Sequence, residues 1–87
     1  MKYPALLEEE IEFEKSLNRT LIHSERSMYE DTDGNLLDVV GWKLYFADKF
    51  GGLHCHDYKF DGEKQLSSKN FYIPQTVLRR ANNANAI

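Results

Sequence analysis

The run Val40-Gly41-Trp42-Lys43-Leu44-Tyr45-Phe46-Ala47, followed by Asp48-Lys49-Phe50-Gly51-Gly52 and then Leu53-His54-Cys55-His56-Asp57-Tyr58-Lys59-Phe60, carries a two-residue period on both sides of a glycine pair. Alternation of this kind is the signature of strands with one face in a core and one face out. Pairing positions whose numbers sum to 100 sets Val40 opposite Phe60, Trp42 opposite Tyr58, Leu44 opposite His56 and Phe46 opposite His54. The other face then pairs Lys43 with Asp57 and Tyr45 with Cys55. Aromatic and opposite-charge cross-strand pairs each contribute about 0.2–1 kcal/mol, so this register is the chemically consistent one.

Working upstream, Asp31-Thr32-Asp33-Gly34-Asn35 is a turn, with Gly34 free to take the positive φ that a tight turn needs. It predicts a first strand over about 22–30 and a second over 36–47. Residues 4–19 predict an amphipathic helix, with Pro4 at its first position and acidic residues near the positive end of its dipole. At about 100° per residue, Phe13, Leu6, Leu17, Leu7 and Ile11 share an arc of about 160°, and Glu8, Glu9, Glu12, Lys15 and Ser16 fall opposite. Downstream, Asp61-Gly62-Glu63 is another turn, Ser67–Tyr72 reads as a loop or short extended piece, and 74–83 reads as a closing helix. Residues 82–87 read as a tail that frays or weakly continues the helix. The expected fold class is α+β: an N-terminal amphipathic helix packed on a three-stranded antiparallel meander, with a short C-terminal helix.

A chain of 87 residues makes one small domain, spanning 1–87, with room for one modest core. The net charge of −3 gives no overall basic footprint for nucleic acid. An apolar fraction of 41% is too high for a disordered chain, and no run approaches the roughly 18–20 apolar residues of a membrane helix. The opening Met1-Lys2-Tyr3-Pro4 leads into Glu8-Glu9-Glu10 with no apolar signal core, so a cytoplasmic location is expected. A single cysteine excludes an intrachain disulfide and a Cys-Cys metal clip.

Several residue patterns bear on chemistry. His54 and His56 project to one face of a strand, as metal-binding His-x-His pairs do, and Glu10 and Glu14 fall inside the apolar arc of the helix one turn apart. If that arc packs on the histidine face, two carboxylates and two imidazoles converge; the plainer reading is that both histidines edge the core. Asp57-Tyr58-Lys59 has the acid-x-Lys form of metal-dependent nuclease strands, a pattern that fourteen acids produce about once by chance. Asp31–Asn35 fails as a calcium loop, because Tyr29 and Val40 fall where Asp and Glu are required. Cys55 and His54 point to opposite faces of a strand and cannot pair as nucleophile and base.

With no cofactor loop and no nucleophile–base pair, no cofactor is expected, and the first functional expectation is a non-enzymatic protein that binds another protein. Its partner would carry a basic surface, met by Glu8, Glu9 and Glu12 on the helix, or else by Tyr45 and Lys43 on the outer sheet face. In concrete form this is an accessory or inhibitor of the type phages and mobile elements encode against a host nuclease or defence complex. The alternatives are a zinc-binding protein or metal-dependent enzyme centred on His54 and His56, and a nucleic-acid binder. The last would use Lys64, Lys69, Arg79 and Arg80 with Phe71 and Tyr72 for stacking. Four cations make a modest patch, so direct nucleic-acid binding ranks last.

Overall fold

A computed structural model describes the chain from Tyr3 to Asn85, with side chains as far as Arg80. Helix α1 (Ala5–Ser16) is followed by strands β1 (Thr20–Glu30), β2 (Leu36–Ala47), β3 (Leu53–Asp61) and β4 (Lys64–Ile73), and then by helix α2 (Gln75–Asn85). The strands form one antiparallel sheet in the order β1-β2-β3-β4. The central pairing is the one the alternation implies: Val40↔Phe60, Trp42↔Tyr58, Lys43↔Asp57, Leu44↔His56, Tyr45↔Cys55 and Phe46↔His54 are all in register.

The sheet has four strands, and the expected three-stranded meander is corrected. Residues 67–72, read as a loop or short extended piece, belong to β4. The reason lies in its composition: Lys64 to Tyr72 are all exposed, so no apolar period marks either face. What makes the segment a strand is backbone pairing to β3, beginning at Asp61↔Lys64 across the two-residue loop Gly62-Glu63. Gly62 has φ 60° at the first loop position, the place where a two-residue hairpin turn calls for glycine. A bulge beside Lys59 and Phe60 leaves Leu66 unpaired.

The core is a single layer on one side of the sheet. Leu7 of α1, Trp42, Leu44, Phe46, Tyr58 and Phe60 form the buried cluster, with Tyr3, Ile11, Leu21 and Val40 packed at its edges. Tyr3 lies against Trp42 at 5.1 Å between ring centroids, and its hydroxyl donates to Ser24 Oγ at 2.9 Å. Pro4 caps α1 rather than opening it, and no side chain of its own segment satisfies the first N–H groups. Glu63, from the β3–β4 turn, does so instead: its Oε2 accepts from the Ala5 N–H at 3.0 Å, placing an anion at the positive end of the helix.

The helix sits rotated from the expected arc. Leu7 and Glu14 are buried and Glu10 and Ile11 half-buried, while Leu6, Phe13 and Leu17 are exposed. β4 presents Ser68 and Asn70 on the covered side of the sheet, in register with Tyr58 and His56, so the helix flank above it finds no apolar seat. A groove therefore runs between α1 and β4. α2 is the closing helix read over 74–83; it begins at Gln75 and continues through Asn85, into the segment read as a tail, while Ala86 and Ile87 lie outside the described residues. Among the described residues, no helix is long and apolar enough to cross a membrane.

Trp42 is 4% exposed within the buried core cluster. Trp42→Ala is expected to cost about 3–5 kcal/mol, most of the stability of a domain this size. Urea denaturation followed by circular dichroism measures it, and a midpoint close to wild type would contradict the inward placement of Trp42.

Candidate functional site

α1 ends in a geometry that sets up the site. Asn18 takes the left-handed conformation at φ 62°. The Asn18 N–H donates to the Lys15 carbonyl and the Arg19 N–H to the Glu14 carbonyl, each at 3.0 Å. This is the paired-bond helix stop for which glycine or asparagine is the usual pivot. It turns the chain so that Arg19 lies back along the last helical turn, where its guanidinium donates to Glu14 Oε2 at 2.8 Å. The sequence reading ran the helix through Arg19 and missed this pair; Asn18 was the available signal.

Glu14 is the centre of a buried polar cluster. Its other oxygen, Oε1, lies 3.2 Å from His56 Nε2. The second ring nitrogen, Nδ1, is 2.9 Å from the Tyr58 hydroxyl and 3.5 Å from Glu10 Oε1. Side-chain exposure is 3% for Glu14 and 7% for His56, against 32% for Glu10, which faces the groove. Burial, and then the carboxylates of Glu10 and Glu14, push the Tyr58 phenol up, so Tyr58 stays protonated. The Tyr58 hydroxyl and His56 Nδ1 share one hydrogen bond, and the Glu14 carboxylate stands on the other side of the ring at ion-pair distance from Nε2. Among the described residues, no buried side-chain nitrogen or oxygen lacks a partner.

The structure thus brings Glu10, Glu14 and His56 together and sends His54 elsewhere. His54 Nε2 lies 3.0 Å from Asp48 Oδ2, and its ring packs on Tyr72 at 4.6 Å. Asp48 governs the β2–β3 loop: its Oδ1 accepts from the Phe50 and Gly52 N–H groups at 2.9 Å each, with Gly51 at φ 83°. Asp31 holds the β1–β2 loop in the same way, accepting from Asp33 and Asn35. The two loops share the spacing Asp-x-x-Gly, a signal open to the sequence reading. The Gly52 N–H, then His54, hold the Asp48 carboxyl below its ordinary range, and the Asn35 N–H is the largest cause of the same shift at Asp31.

The remaining candidates are dispersed. Glu8, Glu9 and Glu12 lie exposed along the outside of α1. Tyr45 is half-buried on the outer sheet face against His23, and Lys43 is exposed beside it. Lys43 stands in register between Glu25 and Asp57, and Asp57 faces Lys69, so charges alternate across the sheet. Phe71 pairs with Cys55 and Tyr72 with His54, so the two aromatics sit at adjacent positions of β4, while Lys64, Lys69, Arg79 and Arg80 are exposed. Cys55 is a free thiol whose burial pushes its pKa up, the reverse of an activated nucleophile. Comparison with known proteins finds no counterpart: no family model fits the sequence, no curated protein matches it and no solved structure matches the fold.

Two outcomes are expected. Arg19→Met leaves the Glu14 carboxylate buried without its cation, and urea denaturation should show a loss of about 3 kcal/mol, the low end for a broken buried pair because Arg19 keeps some access to water. Adding Glu14→Gln should recover part of that loss.

The second outcome concerns acid. A carboxyl whose pKa is lower when folded contributes stability that is fully present above its unfolded pKa of about 3.9 and is lost as pH falls through the folded value. Thermal melts should place Asp31→Asn/Asp48→Asn below wild type at about pH 6 and converging with it towards about pH 2.

Proposed function

We propose that this chain is a cytoplasmic, non-enzymatic interaction protein that engages a basic surface of another protein through the outer side of α1. The observation that carries this reading is a shallow surface on α1 where Glu8, Glu9 and Glu12 surround Phe13. Phe13 is 57% exposed, and among the described residues none of the three carboxylates has an ion-pair or hydrogen-bond partner. An accessible aromatic ring beside unpaired charges of one sign combines an anchor with electrostatic steering. The outer sheet face is the weaker candidate, since its charges already alternate across the strands and attract no single sign of partner. The basic groove of a nucleic-acid-handling enzyme fits such a surface. A small accessory protein of the phage or mobile-element type, directed against a host nuclease or defence complex, is the form we favour.

The test is capture from the native host with wild-type and variant baits, followed by kinetics on the recovered partner. Glu8→Lys/Glu12→Lys should change stability by less than about 1 kcal/mol per site while slowing association. Wild-type affinity should fall as salt rises through about 0.1 M, where the Debye length is about 10 Å. Phe13→Ala should speed dissociation. A partner that ignores all three changes and is lost with Tyr45→Ala would move the interface to the outer sheet face.

A further inference from the structure

The geometry points to a zinc-class divalent cation site formed by Glu10 and Glu14 of α1 and His56 of β3, a site separate from the acidic outer side of the helix. One ligand atom from each of the three residues lies within 4.8 Å of the other two. Glu10 and Glu14 are four positions apart on the helix and so project from one side of it, and His56 meets them from the sheet. Glu14 Oε1 and His56 Nε2 are 3.2 Å apart. Two ligands each about 2.0–2.1 Å from a tetrahedral zinc ion stand about 3.3–3.4 Å apart, so the pair is already spaced as zinc ligands are.

The groups around these donors are those a metal site requires. A ligating histidine is ordinarily held by a bond to its other ring nitrogen, and ligating carboxylates are themselves hydrogen-bonded. Here the Tyr58 hydroxyl sits 2.9 Å from Nδ1, and Arg19 binds the Glu14 oxygen that faces away from the ring at 2.8 Å. With a cation on Nε2, the ring would carry its N–H at Nδ1 and donate a hydrogen bond to the Tyr58 oxygen. With the ring neutral, as it must be to ligate, two carboxylates face one guanidinium, an excess of one negative charge that a divalent cation would meet. Glu10, the least buried donor, borders the groove beside Phe13 and Asn70; its Oε1 lies 3.5 Å from Nδ1, so it would swing towards Nε2 to ligate. An imidazole nitrogen with two carboxylates suits zinc and its neighbours, whereas calcium and magnesium prefer an all-oxygen shell. His54, tied to Asp48, is not a ligand.

The experiment is calorimetric titration of the chelator-treated full chain with zinc chloride, paired with thermal melts. One zinc per chain is expected, and zinc at about 100 times its Kd should raise Tm by about 10 °C or more. Glu10→Gln, at a half-exposed position that spares the fold, should weaken zinc at least tenfold, and His56→Gln should abolish binding. Because His56 is buried, folding of that variant is checked by circular dichroism, and Glu10→Gln carries the test if it fails. His54→Gln and Glu12→Gln should bind as wild type. The inference is overturned by the absence of stoichiometric zinc, by binding that survives Glu10→Gln, by equal loss with His54→Gln, or by calcium or magnesium binding as tightly as zinc.

Discussion

The pairing of β2 with β3 is the constraint on which the rest of the chain depends. Its register puts Trp42, Leu44, Phe46, Tyr58 and Phe60 on one side of the sheet, and these residues with Leu7 make up almost all of the buried apolar surface. A slip of one residue by either strand would turn that strand's core residues outward, bringing in Lys43 from β2 or Asp57 and Lys59 from β3. β1 and β4 extend this hairpin on either edge but add little to the core: Leu21 is the one residue of either strand packed against it. The helix then covers this apolar layer, with Leu7 packed into it.

How the helix sits on that layer is decided by polar groups. An arc centred on its apolar residues would bury Leu6 and Phe13 along with Glu14; the observed rotation leaves Leu6 and Phe13 out and keeps Glu14 in, against Arg19 and His56. Desolvating a carboxylate is expensive, and replacing a buried ion pair with apolar residues is often neutral or stabilising. What a satisfied polar cluster does is penalise alternatives, since any other rotation leaves buried charges unmatched. Glu63 at the start of α1 and the Asn18 stop at its end fix the same helix at two further points. Together they hold the helix so that its acidic side and Phe13 face water.

Two Asp-centred loops, built alike, join the first three strands, and the second of them also decides the fate of a histidine. By accepting from the Phe50 and Gly52 N–H groups with one oxygen, Asp48 leaves the other free for His54. His54 and His56 share a face of one strand, yet they answer to different partners, one in a loop and one in a helix.

Local periodicity was enough to determine the β2–β3 hairpin, its register, the three turns and the existence of both helices. Each of these follows from residues close in sequence, or from a two-residue pattern that pairs with its mirror across a single loop. β4 was not legible, because no two-residue apolar period marks either of its faces and its strand character comes from hydrogen bonds to β3. The rotation of α1 was not legible either: it depends on which flank meets Ser68 and Asn70, residues more than fifty positions away along the chain. Within the candidate site, the spacing of Glu10 and Glu14 and the facing of His54 and His56 were readable. The choice of His56 over His54, and the recruitment of Arg19 and Tyr58, were settled by tertiary packing, because an unpaired charge is penalised only once the fold has removed it from water.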